Sequence, residues 1–186
     1  MASFEMKPEL DQYEKPSKKA IICQSVLRVA GIFASLIATV LMIKSKEKTI
    51  YLGFNIDAKF SYSPPFVYFV YANATACFLS FLALANFSYC VRLANCKRHF
   101  LIFFGDLVAL VLSASSLGAG TAIGLLGKYG NTHTGWLEIC DKFSHFCDEV
   151  QHSLAAGYLA AILFFILTLW SSGNSKKAAT VSSQQP

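Results

Sequence analysis

Four long apolar runs organise the chain: Ile21–Ile43, Phe66–Tyr89, Phe100–Leu126 and Ser153–Trp170, of 23, 24, 27 and 18 residues. An α-helix rises 1.5 Å per residue, so about 20 mostly apolar residues cross a ~30 Å hydrocarbon core. Each run therefore predicts one membrane-spanning helix. Between the first two runs the period changes. From Phe54 to Ser63, apolar Phe54, Ile56, Ala58, Phe60 and Tyr62 alternate with polar Asn55, Asp57, Lys59, Ser61 and Ser63. Period-two alternation marks a half-buried β-strand, and Pro64-Pro65 ends it and opens the next helix. The expected fold is an all-α membrane protein, a four-transmembrane-helix bundle with a short extracellular β segment in the first outer loop. That segment either lies on its own bundle or offers a contact surface to a second protomer.

The runs fill about half of the 186 residues, and the longest loop, Gly127–His152, has 26. This leaves no room for a separate soluble catalytic domain. A membrane β-barrel is excluded too, since its strands alternate over about ten residues instead of running apolar for twenty. Residues 1–20 hold four lysines, four acids and two prolines, and 171–186 are rich in Ser, Gln and Ala. Both ends read as disordered tails, with the membrane domain between them at 21–170. No cleavable signal peptide fits the start of the chain, so the first helix is expected to serve as the insertion signal.

Composition then narrows the chemistry. The chain is 54% hydrophobic and only 15% charged, against about 25% charged in soluble domains, and its mean hydropathy is +0.46. Only Arg28 and Asp106 place a formal charge inside an apolar run. Each costs about 2.5–3.5 kcal/mol on insertion scales, which calls for a partner. Arg28 lies about 10 Å into the first span and Asp106 about 9 Å into the third, which crosses in the same direction. The two share a depth. They also share small-residue faces: Gln24, Arg28, Gly31, Ser35 and Thr39 on the first helix, and Asp106, Ala109, Ser113, Ser116, Gly120 and Gly124 on the third. Such stripes let helices approach closely where lipid supplies no hydrophobic drive. The expectation is that helices one and three lie against each other along them, locked by an Arg28–Asp106 salt bridge. Asn73, Ala76, Ser80 and Ala83 on the second helix, and Gly157, Ala160 and Ala161 on the fourth, make softer versions. The pair is read first as a structural strut and, alternatively, as part of a transport or channel pathway.

Lys and Arg counts set orientation. With both termini cytoplasmic, nine lie inside and six outside, a small bias toward that arrangement. It places Cys140 and Cys147 in an oxidising outer loop, where a disulfide is expected. A continuous helix would hold their Cα atoms ~10.5 Å apart, beyond the ~7 Å limit for a bridge, so the segment must bend around Lys142–His145. Cys77 reads as a small packing residue, and Cys23, Cys90 and Cys96 as interfacial thiols, either free or palmitoylated. Trp136, Trp170, Tyr51, Tyr62, Tyr68 and Tyr71 fit interfacial aromatic belts. The sequons at Asn73 and Asn86 fall inside the second span, out of reach of glycosylation.

No phosphate-binding loop, dinucleotide fingerprint, nucleophile elbow or zinc-protease motif occurs. His145, Asp148 and His152 have a spacing that could place ligands on one helix face, but polar residues are the default where a helix leaves the membrane, so no metal and no cofactor are expected. Charge is spread over both sides of the membrane, which gives nucleic-acid binding no support. The expected partners are the lipid bilayer and other proteins, and no enzyme activity is expected.

The chain resembles the Casparian strip membrane domain protein family of plants, in particular its CASP-like members, relatives of the MARVEL-type tetraspans. The resemblance spans Lys19 to Trp170. It rests on Val26-Leu27-Arg28-Val29-Ala30, on Gly105-Asp106-Leu107, on the small-residue run Ser113–Gly127, and on Trp136-Leu-Glu-Ile-Cys140 followed by Phe143-Ser-His-Phe-Cys147. It implies a plasma-membrane scaffold that self-associates as homo- or heterodimers and larger arrays, and that recruits secreted wall-modifying enzymes. It also implies an ion pair at Arg28 and Asp106 and a pairing of the two outer cysteines, within one chain or between chains. One departure stands out: the Glu-Ser-Leu-Pro-Phe-Phe type of first-loop signature found in true Casparian strip members is replaced here by Tyr51-Leu-Gly-Phe-Asn-Ile-Asp. A scaffold in other cells is therefore the expectation.

Overall fold

The computed structural model describes residues 18–51, 54–92 and 99–183. Its elements are α1 (Lys18–Lys44), β1 (Lys46–Tyr51), β2 (Phe54–Lys59), a single 3-10 turn (Phe60–Tyr62), α2 (Pro64–Arg92), α3 (His99–Tyr129) and α4 (Ser144–Ser183). All four helices are long and apolar enough to cross a membrane. Each overruns its apolar segment, because hydropathy marks the stretch that sits in hydrocarbon and not the point where the backbone stops being helical. The effect is largest in α4, which starts at Ser144 and continues through Ser183. Residues 171–183 are thus helical, not the irregular tail their composition suggests, and no proline interrupts them. Residues 1–17, most of the expected N-terminal tail, lie outside the described residues.

α1 is flanked by α2 and α4, and α3 by the same two helices. The side-by-side packing of α1 on α3 expected from their stripes is therefore corrected. Short connections make consecutive helices antiparallel neighbours, and closing α4 onto α1 leaves α1 and α3 facing each other across the bundle axis. Their small-residue stripes line the centre and lean on α2 and α4. A Cβ at Gly31 would meet the Phe164 ring at 3.0 Å, and one at Gly120 would meet Leu154 at 3.0 Å. Gly124 also faces Leu154.

Two phenyl rings fill the axis. Phe69 on α2 and Phe164 on α4 are both fully buried, Phe164 among Ala76, Ala109 and Ala160 and Phe69 beside Met42, Phe66 and Leu117. Gly157 makes room for the first of them: a Cβ there would come within 2.9 Å of Phe69 and 3.0 Å of Leu117. Large apolar side chains such as Ile22, Phe33, Phe78, Phe81, Phe104 and Leu169 point outward instead. That arrangement suits a lipid environment, where helices associate through close van der Waals packing and not through hydrophobic exclusion.

β1 and β2 form an antiparallel hairpin with Lys46 opposite Lys59, Lys48 opposite Asp57 and Thr49 opposite Ile56. The alternation correctly marks a strand, but it ends at Lys59 and not at Ser63. The partner strand runs out there: Ser45 is buried and its amide bonds back to Leu41 and Met42 at the end of α1. With no further ladder to join, Phe60–Tyr62 tighten into a 3-10 turn that leads into Pro64. Ala58 and Phe60 pack against the outer core of Phe66, Phe69, Phe143, Phe146 and Val150, so the hairpin sits on the helix ends.

The loop between α3 and α4 is fastened to α3. Gly130 takes a left-handed φ of 64°, where its amide reaches Leu126 O and a side chain would strike Trp136 O. Asn131 and Trp136 form a bridge, and the amides of Ile139 and Cys140 both donate to Gly127 O.

Candidate functional site

Two constellations draw residues from separate elements, one inside the bundle and one at its outer face.

The inner one is built on Arg28 of α1. Its side chain crosses the bundle axis to Asp106 of α3, Nη1 to Oδ1 at 2.6 Å and Nη2 to Oδ2 at 2.7 Å. The pair is bidentate, and the two side chains are 0% and 1% exposed. The parallel donors of guanidinium match the two carboxylate oxygens, which gives such a pair direction as well as charge neutrality. Ser171 of α4 closes it. The hydroxyl donates to Asp106 Oδ2 at 2.6 Å and accepts from Arg28 Nη2 at 3.3 Å. Phe87 of α2 lies beneath, its ring centroid 5.7 Å from the guanidinium carbon, within reach of a cation–π attraction. All four helices therefore meet at one buried charge pair. Arg28 Nε has no hydrogen-bond partner.

Ser171 escaped the sequence reading because it follows the apolar run. Its spacing carried a usable signal, since Phe164, Leu167, Thr168 and Ser171 repeat at three and four residues and all are buried. Nearer the middle of the bundle, Asn73 of α2 serves the small residues of α3. Its amide nitrogen donates to Phe69 O and to Ser116 Oγ, and its oxygen accepts from Ser113 Oγ. Ser35 instead donates to Ile32 O of its own helix. Gly31, Ser35, Ser113, Ser116, Gly120 and Gly124 thus all lie at the interior or its seams, but they are not a single α1–α3 seam.

The outer constellation begins with Cys140 and Cys147, which are joined with a Cα–Cα separation of 5.6 Å. The chain turns through Asp141 and Lys142 before α4 starts, so Cys147 stands in the first helical turn and Cys140 outside it. The bend falls slightly earlier than Lys142–His145, because Phe143 already anchors the helix by accepting from the Cys147 amide. The Phe146 amide, one of the unpaired donors of that first turn, is answered from the hairpin by Glu47 Oε2 at 2.9 Å. A carboxylate at this position satisfies an orphan donor and complements the positive end of the helix dipole. Phe66 and Phe146 meet edge to face beside it at 6.3 Å. Sequence offers no sign of the Glu47 contact, which spans two loops.

On the hairpin's other face, Lys59 pairs with Asp57 at 2.6 Å, and both bond to the Tyr62 hydroxyl. Their mutual hydrogen bond lowers the Asp57 pKa and raises that of Lys59. Among the remaining cysteines, Cys23 is free and exposed, Cys77 is free and half-buried, and Cys90 is disulfide-bonded. Cys90 is therefore not the free interfacial thiol considered from sequence, and Cys96 lies outside the described residues. His145, Asp148 and His152 are all exposed on α4, and among the described residues no three His, Cys, Asp or Glu side chains group as metal ligands.

Four membrane-length helices closed around a buried arginine–aspartate pair define a multi-pass tetraspan membrane protein. Comparison with known proteins carries this to a family. A profile of the Casparian strip membrane protein domain matches residues 17–163, and the chain belongs to that family. It is 38% identical over 177 residues to CASP-like protein 1F1 of Vitis vinifera, covering 95% of this chain and 84% of the relative. It is also 38% identical over 179 residues to CASP-like protein 1F2 of Populus trichocarpa, covering 95% and 98%. CASP-like protein 1C1 of Arabidopsis thaliana is 38% identical over 146 residues, 78% of this chain and 85% of the relative. No solved structure matches. Ser171 lies beyond the matched domain.

Proposed function

We infer that this chain is a non-enzymatic scaffold of the plasma membrane, with both termini cytoplasmic, that associates with itself and with related family members to organise a membrane domain. Secreted wall-modifying enzymes are the proteins such a platform would recruit. The observation that carries the reading is the closure of the Arg28–Asp106–Ser171 network: the two charges are consumed by each other in a buried bidentate pair. A charge pair sealed in this way fixes which helices meet and in what register, whereas a transport pathway needs its ionisable groups in contact with a hydrated route. The short loops and the Lys and Arg distribution support the same reading.

Crosslinking in native membranes tests it. Dimers and larger species are expected, and a purely monomeric pattern overturns the proposal. Flux assays in liposomes form the second arm. No conductance is expected, and an ion or proton flux that disappears on substituting Arg28 or Asp106 would establish a transporter or channel component instead.

A further inference from the structure

We propose that the outward face of the β1–β2 hairpin binds an extracellular acidic polysaccharide, a polymer of uronic acids whose carboxylates recur along the sugar chain. The register divides the hairpin into two faces. Glu47 lies opposite Ala58, and this face looks inward: Ala58 packs on the outer core and Glu47 accepts the Phe146 amide. Lys46 opposite Lys59 and Lys48 opposite Asp57 make up the other face, which therefore points away from the helix ends. The Asp57 carboxylate is already held by Lys59 and by the Tyr62 hydroxyl. Lys46 and Lys48 are exposed and make no ion pair among the described residues. Three ammonium groups against one carboxylate leave this face with an excess of two positive charges. Like charges placed opposite one another destabilise a strand pair, and an anion lying across Lys46 and Lys59 reverses that effect.

Shape and chemistry select a polymer of sugars over a small anion. The face is open and its cations are spread out: residues two apart on a strand, as Lys46 and Lys48 are, lie ~7 Å apart, and a directly opposed pair such as Lys46 and Lys59 lies ~5 Å apart. Each exposed ammonium–carboxylate contact is weak in water, so a lone carboxylate gains little there. A chain that carries a carboxylate on every sugar engages several lysines at once and gains from effective concentration. Tyr62 supplies the second element of such a site. It is 62% exposed, and its hydroxyl donates to Asp57 Oδ2 at 3.0 Å and accepts from Lys59 Nζ at 3.3 Å, which fixes the ring beside the lysines. The negative face of an exposed aromatic ring attracts the C–H groups of a sugar. The hairpin is extracellular in the orientation proposed above, with both termini cytoplasmic, so this inference rests on that reading.

Interferometry on the full chain in phosphatidylcholine nanodiscs reads the binding, with polygalacturonate as the probe. Its methyl ester, which keeps the sugars and loses the charges, is the control. Polygalacturonate should bind several-fold more tightly than the ester, and the difference should shrink as salt screens the contacts. Lys46→Gln with Lys48→Gln should weaken binding about tenfold, Tyr62→Leu should weaken it several-fold, and Asp57→Asn should strengthen it by releasing Lys59. Lys128→Gln with Lys142→Gln removes the same charge at the α3–α4 connection and should leave binding unchanged. All four of these lysines are exposed, so neither double variant disturbs the packing. Equal binding of acid and ester, or the same loss in both double variants, overturns the proposal. Labelling of Lys48→Cys by a membrane-impermeant maleimide on intact cells tests the orientation separately. Labelling only after permeabilisation overturns the orientation and the proposal with it, whereas labelling of intact cells without polygalacturonate binding in nanodiscs overturns the proposal alone.

Discussion

Glu47 on the β1–β2 hairpin accepts the Phe146 amide of α4 at 2.9 Å, across 99 residues of sequence. This one bond joins the hairpin to the start of α4. It ties the hairpin to the helical turn that also carries Cys147 and its disulfide, so the outer face of the bundle behaves as one cap. Replacing the carboxylate should loosen both parts together. Glu47→Ala is expected to cost about 0.5–2 kcal/mol, the usual range for a lost helix cap, while Glu47→Gln, which keeps an acceptor oxygen, should cost less. Hydrogen exchange at Phe146 and Cys147 reports it: exchange should quicken in the alanine variant, and unchanged protection would exclude the cap.

The buried pair should be far more sensitive to losing one member than to losing both. Asp106→Leu strands Arg28 in a site that is 0% exposed, and breaking a buried pair this way costs about 3–5 kcal/mol. The expected outcome is impaired folding or trafficking. The double variant Arg28→Leu with Asp106→Leu leaves no stranded charge and should regain much of the lost stability. Ser171→Ala removes a hydrogen bond to a charged group, at about 1.5–3 kcal/mol. Size-exclusion profiles and thermal unfolding in detergent rank the three, and normal assembly of the Asp106 single variant would remove the strut.

Glycines separate into those that make room and those that do not. Gly157→Ala drives a methyl to within 2.9 Å of the buried Phe69 ring, and overpacking of this kind costs about 1–3 kcal/mol. Gly118→Ala meets nothing within 4 Å and gains helix propensity, so it should be neutral or slightly stabilising. A midpoint shift of the same size in both variants would contradict the close fit of Gly157 against Phe69 and Leu117.

The Asp57–Lys59 pair predicts a flat response around neutrality. The folded pKa of Asp57 is lowered, so its contribution is complete above the ordinary carboxylate range and is lost as pH falls through the lowered value. That of Lys59 is raised, so its contribution is complete below the ordinary lysine range and is lost as pH climbs through the raised value. Hairpin amide protection, corrected for intrinsic exchange, should therefore hold steady from about pH 5 to about pH 9 and fall outside that window. Both side chains are partly solvent-exposed, so the effect is small. Asp57→Asn should remove the acid limb, and an acid limb that persists in that variant would assign it to another group.

Sequence by itself determined the number of spans, the presence of a strand before Pro64, and the identity of the two charges that could not stay alone in hydrocarbon. These follow from local quantities: apolar length against bilayer thickness, a period of two, and the cost of desolvating a charge. It did not determine which helices touch. The stripes on α1 and α3 were legible, but a stripe says only that a face is buried, and the surface it meets depends on how three short connections close the ring. Tertiary structure therefore decided that Gly31 faces Phe164 and Gly120 faces Leu154, that Ser171 completes the charge pair from a segment composition assigned to a tail, and that Glu47 caps a helix in another loop. Each of these is a contact between different elements, its partners at least 34 positions apart in the chain. Such contacts are fixed by the mutual fit of whole helices in space, which no window of residues contains.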